Sequence, residues 1–108
     1  MLLFKKKYLP AIRAGQKTQT IRLWKHRRMR SGQRSYVPGV GAILVETVEP
    51  VALEQLTDAD ALPDGFSSAA ELRQELEMLY AAELAAGHQA YRVRFSLAPS
   101  KTSPEPLR

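Results

Sequence analysis

Between Gly15 and Trp24 the chain places four side chains that could do chemistry: Lys17, Thr20, Arg22 and Trp24. Thr18 to Trp24 alternates polar and apolar residues with the period of a half-buried strand. Ile21 and Leu23 are therefore expected in the core, with Thr20, Arg22 and Trp24 together on the other face. Arg22 would offer a planar fork of donors suited to a phosphate or a carboxylate, and Trp24 a flat surface for a base. Lys17 and Thr20 would fall on opposite faces of a regular strand, so they share a site only if Lys17 still belongs to the preceding turn. Gly15 gives the backbone the freedom for such a turn. Together these residues describe a nucleotide-sized pocket. Each also has a purely structural reading: Thr20 as a strand former, Arg22 as partner of an internal acid such as Asp64, Trp24 as core.

Charge points the same way. Every charged residue up to Val45 is basic, the acidic residues begin at Glu46, and the net charge is +5. Such segregation can make one face strongly positive and attract polyanions, RNA or a nucleotide first among them. Lys5 and Lys7, then Lys25, Arg27, Arg28, Arg30 and Arg34, are candidate phosphate contacts, and Trp24 or Tyr36 could stack on a splayed base. Bases interleaved with aromatics suit structured or single-stranded RNA better than duplex DNA, for which no recognition-helix pattern is present. The competing reading is a solvated, solubilising loop.

Other classes are excluded or disfavoured. The chain has no cysteine, hence no disulfide framework, thiol nucleophile or cysteine metal cage. His26 and His88 lack ligand spacing, so no metal and no cofactor are expected. No apolar stretch approaches the roughly 20 residues of a membrane span, and the Met1-Leu2-Leu3-Phe4 start is too short for a secretory signal. A cytoplasmic monomer is expected. With 108 residues, one domain is expected, residues 1–97, followed by a flexible Pro-rich tail, 98–108.

Elements must position the candidate residues. Leu2 to Phe4 reads as an opening strand, followed by a short helix with Pro10 in its first turn and Gly15 at its end. Gln33 to Val37 and Ala42 to Val48 read as strands joined through Pro38-Gly39. In the second of these, Ile43, Val45 and Thr47 are expected to face opposite to Leu44, Glu46 and Val48. Pro50 should end it, with a further short strand over Val51 to Leu56 and a loop or single helical turn from Thr57 to Gly65. Ser68-Ala69-Ala70-Glu71 is a capping box opening a helix of about five turns that closes at Gly87, with Leu72, Leu76 and Leu79 as its apolar stripe. Ala90 to Leu97 alternates again as the last strand. The order is that of an α+β chain whose strands could curl into a small barrel.

Gly15-Gln16-Lys17-Thr18-Gln19-Thr20-Ile21-Arg22 resembles the G-x-K-x-x-T-x-R signature of ASCH domains, small relatives of the RNA-binding PUA domains. Leu56-Thr57-Asp58, Asp64-Gly65-Phe66-Ser67 before the capped helix, and the closing Tyr91-Arg92-Val93-Arg94-Phe95 are similar to the family's pattern as well. The resemblance spans about Leu2 to Leu97. It implies a PUA-like β-barrel, with a short N-terminal helix and one longer helix before the last strand, and a cleft beside the signature that binds RNA or a nucleotide.

The same resemblance implies an alternative. Some bacterial ASCH proteins deacetylate acetylcytidine, and residue-wise likeness makes Thr20 the nucleophile, Lys17 its base and Asp64 the orienting acid. Lys17 would then have to be neutral, which requires burial or neighbouring positive charge. The amidohydrolases carry Glu where this chain has Asp64. A side chain one methylene shorter would fall about 1.5 Å short, a displacement able to cost on the order of a hundredfold in rate. Ribonuclease activity, linked to other members, ranks third because the paired histidines of an acid-base ribonuclease are missing.

Overall fold

Strands β1 (Gln19–Trp24), β2 (Arg34–Val37), β3 (Gly41–Val51) and β4 (Gln89–Leu97) form one antiparallel sheet in the order β1-β4-β3-β2. They are seen in a computed structural model that describes residues 1–98. Among the described residues four α-helices accompany them: α1 (Leu9–Arg13), α2 (Asp58–Asp64), α3 (Ala69–Leu79) and α4 (Ala81–Ala85). The proposed tail lies outside the described residues except for Ala98, whose N–H donates to the Ala42 carbonyl at 3.0 Å.

The sheet does not close into the expected barrel. Closure needs a continuous ladder around the ring, whereas the outer strands β1 and β2 do not pair. The segment Leu2–Leu3 fills the gap instead. Leu2 N–H donates to the Tyr36 carbonyl of β2 at 3.0 Å, and on the other side the Leu3 carbonyl accepts from the Arg22 guanidinium of β1 at 2.6 Å. One backbone bond and one side-chain bond do not make a ladder, so the expected opening strand over Leu2 to Phe4 is an extended strap.

Both faces of the sheet are covered. On one, Ile43, Val45, Val48, Val93 and Phe95 pack with Leu2, Ile12, Met29 and Val37. On the other, Ile21, Leu23 and Ala90 pack with Leu56, Ala61, Leu72 and Leu76, which brings α2 and α3 onto the sheet. Strand β1 keeps its alternation, with Ile21 and Leu23 toward the helices and Trp24 against the first core. In β3 the register shifts between Val45 and Thr47. That bulge corrects the expected parity: the extra residue returns Val48 to the face of Ile43 and Val45. Nor does Pro50 end the strand, since it pairs with Tyr91 and β3 runs on to Val51. β2 pairs with β3 only as far as Leu44, and the loop before β2 bonds Val45 and, through the Ser31 hydroxyl, Val48. At Pro50 no further strand among the described residues flanks that edge, so a residue without an N–H loses no ladder bond there. A 3-10 turn, Leu53–Gln55, stands in place of the further strand.

In place of the expected loop or single helical turn after Thr57, the chain forms the two-turn helix α2. Thr57 and Asp60 close a capping box at its start, and Gly65 ends it with φ 94°. At the start of α3 the Ser68 hydroxyl accepts from Glu71 N–H at 3.2 Å, as the capping box predicts. The Glu71 carboxylate, however, takes the N–H and hydroxyl of Ser67 rather than the N–H of Ser68. The expected five-turn helix breaks at Tyr80 (φ −120°, ψ 29°), so that Tyr80 and Leu84 turn onto the second core while Leu79 stays exposed. Among the described residues no helix is long and apolar enough to cross a membrane.

Candidate functional site

Gly15, at φ 74°, leads the chain out of α1. The N–H groups of Gln16 and Lys17 both donate to the Ala11 carbonyl, at 2.9 and 3.1 Å, and Thr18 N–H donates to the Pro63 carbonyl at 2.8 Å. Lys17 therefore lies in the turn, as sharing a site with Thr20 requires, and β1 begins two residues later. From there its Nζ reaches the end of α2, where it donates to Asp64 Oδ1 at 2.7 Å and to the Asp64 main-chain carbonyl. That carbonyl has no helical partner, because the left-handed Gly65 stops the helix.

Lys17 and Asp64 are each only 3% exposed. The ammonium lies 5.0 Å from the Tyr8 ring centroid, 5.7 Å from that of Phe4 and 5.8 Å from that of Phe66, within cation–π reach of three aromatic rings. Gln19, fully buried, donates Nε2 to Asp64 Oδ2 at 3.2 Å and to the Asp60 carbonyl at 2.9 Å. Burial pushes the Lys17 amine below its ordinary pKa against the attraction of Asp64, and pushes the Asp64 carboxyl above its own against the attraction of Lys17. For both members desolvation outweighs the charge between them. The shorter acid does not fall short of Lys17, since turn and helix end bring the two into direct contact.

Thr20 and Arg22 form the adjoining wall. Arg22 Nε donates to Thr20 Oγ1 at 3.0 Å, Nη2 to the Leu3 carbonyl, and the guanidinium lies 4.8 Å from the Phe4 ring centroid. The alternative pairing of Arg22 with Asp64 is thus not made, because Lys17 holds that acid. Lys17, Thr20, Arg22 and Asp64 border one open cleft of about 370 Å³ between the N-terminal strap and α3. Phe4, Tyr8, Phe66 and Tyr80 supply much of its apolar wall. Its volume falls in the roughly 300–1,000 Å³ range of small-molecule sites. At the rim the Glu75 carboxylate accepts from the Tyr8 hydroxyl at 3.3 Å and lies 3.6 Å from Lys5 Nζ. Burial, then Glu75, raises the Tyr8 phenol above its ordinary value.

The remaining candidates lie elsewhere. Lys7 sits 5.2 Å from the Tyr8 ring centroid but does not line the cleft. Lys25, Arg27, Arg28 and Arg30 are exposed in the connection from β1 to β2, and Arg34 and Tyr36 are exposed on β2. Of these, Arg28 borders a smaller groove beside Trp24, described below. Sequence reasoning missed Phe4, Tyr8, Gln19, Glu75 and Tyr80 as site residues, and gave no role to Phe66. Two of the aromatics flank the Lys5-Lys6-Lys7 run, and that interleaving was the available signal. Among the described residues no three His, Asp or Glu side chains gather as a metal's ligand set would require.

No protein-family model matches the chain, and no curated protein matches its sequence. Solved structures do match its fold. The hypothetical protein PH0355 superposes with a TM-score of 0.72 at 18% identity, over 87% of this chain and 94% of that one. Protein EF3133 from Enterococcus faecalis V583, of the DUF984 family, gives 0.70 at 14% identity over 85% and 67%. An ASCH domain from Lactobacillus crispatus JV V101 gives 0.68 at 16% identity over 82% and 68%. The chain therefore has an ASCH-like α+β fold, built here on an open sheet.

Proposed function

We propose that the cleft receives one nucleotide of an RNA, with the base among the aromatic walls and a phosphate on Arg22. The observation that carries this reading is the position of Arg22. Its guanidinium spends two of its five N–H donors on Thr20 and Leu3 and is thereby locked, leaving three for a ligand on the wall of an aromatic-lined cleft. Three bases line that cleft, Lys5, Lys17 and Arg22, against two acids, Asp64 and Glu75. An excess of one positive charge suits a single phosphate rather than a length of backbone. The exposed bases from Lys25 to Arg34 would supply the longer-range attraction.

Calorimetric titration with nucleoside monophosphates and short RNAs tests this. Binding of the short RNAs should weaken steeply with salt, and that of the monophosphates only mildly, because each phosphate contact releases a counterion. Arg22→Gln should lose on the order of ten- to a hundredfold in affinity, the worth of a charge-assisted hydrogen bond of about 1.5–3 kcal/mol. Replacing Arg27, Arg28 and Arg30 together by Ala should weaken all RNAs about equally. An Arg22→Gln protein that binds as the wild type does would overturn the assignment.

One observation favours a second reading, hydrolysis of acetylcytidine: Lys17, Thr20 and Asp64 border the same cleft, and burial favours the neutral Lys17 that a general base must be. Thr20 Oγ1 would attack the acetyl carbonyl carbon while Lys17 takes its proton. The same proton would then go to the leaving cytosine amine, and water would release acetate from the acyl-threonine. Against it, among the described residues no hydrogen bond joins Lys17 to Thr20, whose hydroxyl accepts from Arg22 instead. If the reading holds, Thr20→Ala abolishes acetate release, whereas Thr20→Ser, which keeps the hydroxyl that both the attack and the Arg22 bond use, retains it. Wild-type protein that binds RNA and releases no acetate at high enzyme concentration would retire it.

A further inference from the structure

Arg22 does not belong to the cleft alone. With Leu3 it also borders a second groove of about 240 Å³, whose other walls include Trp24, Arg28, Met29 and Gln33. The two depressions thus share a wall, the Arg22 guanidinium bonded to the Leu3 carbonyl. Thr20, Arg22 and Trp24 follow at every second residue of β1, so their side chains stand in a row at intervals of about 6.7 Å on one face of the strand. Trp24 is half-buried, its ring 5.5 Å from that of Tyr91 and tilted by 34°, and the Arg27 guanidinium lies 5.7 Å from the Tyr91 centroid. The indole is therefore held in place by packing, and its remaining surface borders the groove. Arg28, exposed in the loop, brings a cation to the same groove. An aromatic platform beside two guanidinium groups is the chemistry that binds a stacked base and its phosphate.

We infer that the ligand is a stretch of single-stranded RNA at least two nucleotides long. One nucleotide occupies the cleft, its neighbour lies along Trp24 with Arg28 on its outer phosphate, and Arg22 holds the phosphate that joins them. The inference rests on the nucleotide-binding reading of the cleft and adds a second subsite to it. Stacking on Trp24 is then worth roughly a five- to a hundredfold gain when a second nucleotide is added.

Trp24 is the only tryptophan of the chain, so its fluorescence reports on the groove. The probes are the nucleoside monophosphates and dinucleotides that carry a terminal phosphate in addition to the linking one, with the preferred base at either end; affinities are taken by calorimetry and fluorescence is followed in parallel. Expected are a tighter dinucleotide, quenching of Trp24 by the dinucleotide well beyond that by a saturating monophosphate, and loss of the gain in Trp24→Leu. Arg28→Ala, a change at an exposed loop position, should remove the part of the gain that the terminal phosphate supplies and keep the stacking part, with a smaller loss for the monophosphate than for the dinucleotide. Monophosphate binding with no gain from the second nucleotide would overturn the second subsite and leave the cleft reading standing. Absence of binding by either probe would overturn both. A gain that survives both variants would place the second nucleotide elsewhere and defeat the inference.

Discussion

Asp60 and Asp64 stand four residues apart on the short helix α2, each in contact with a cation, at 2.5 Å for Arg92 and 2.7 Å for Lys17. Their carboxyls are nevertheless pushed in opposite directions. Asp60 accepts the N–H and the hydroxyl of Thr57, its side chain borders an open groove of about 510 Å³, and its pKa is lowered, chiefly by the Thr57 backbone bond. Asp64 is enclosed with Lys17 and its pKa is raised by burial. The distance to the cation is nearly the same in both, so access to water decides the difference. Asp60, with Glu49 on the other side of Arg92, is a clamp joining α2, β3 and β4. A pair as buried as Lys17–Asp64 is a weak stabiliser, because desolvation offsets much of its attraction. Its presence is better explained by the cleft it borders.

The strongest way to break this contrast is to remove one cation. Lys17→Met should cost about 3–5 kcal/mol in chemical denaturation, because it leaves a buried acid alone, and Lys17→Met with Asp64→Leu should recover most of that loss. A single-mutant loss below about 1 kcal/mol, the value of an exposed pair, would erase the distinction. Asp64→Glu comes next. The existing 2.7 Å contact leaves no gap for another methylene, so overpacking should cost about 1–3 kcal/mol. An unchanged or higher stability would mean that the site has room for the longer acid. Asp60→Asn should cost less, about 1 kcal/mol for a weakened cap and a partly exposed ion pair, as read from the denaturation midpoint.

The smallest effect is a slope. Lys17 has a lowered pKa in the folded protein, so between that value and the free-lysine value of 10.5 the unfolded chain binds the proton more tightly. Stability therefore rises with pH across that window and the rise is complete above 10.5. Asp64, with a raised pKa, stabilises at acid pH and loses that contribution as pH climbs from the free-aspartate value of 3.8 through its folded value. Thermal melts of the wild type minus those of Lys17→Met, across the alkaline range, should isolate the first slope. A difference that is flat or falls with pH would contradict the burial of Lys17.

The signature was legible in the sequence because it is local. Alternation from Thr18 to Trp24 sets the faces of Thr20, Arg22 and Trp24, and Gly15 marks the turn that carries Lys17. What was not legible depends on distant partners. Asp64 pairs with Lys17 rather than Arg22 because α2 forms a second turn that presents its last residue to the Gly15 turn. The Thr57–Asp60 capping box of that helix stood in the sequence, yet the Asp-rich composition read as a loop or at most a single helical turn. Barrel closure failed because the Leu2–Leu3 strap bonds β2 through its backbone and β1 only through the Arg22 side chain, a difference that no periodicity encodes. Pro50 misled for a similar reason, since a proline ends a strand only where its missing N–H would have met a neighbour.

On the reading proposed above, a nucleotide binds in the cleft beside the signature and not on the basic loop. The most direct test is a residue-resolved NMR titration of the backbone amides with a nucleoside monophosphate at low salt. Saturable shifts are predicted at Phe4, Tyr8, Thr20, Arg22, Phe66 and Tyr80, with Lys25 to Tyr36 nearly unmoved. Shifts confined to Lys25 to Tyr36, or none at a concentration that saturates short RNA binding, would contradict it.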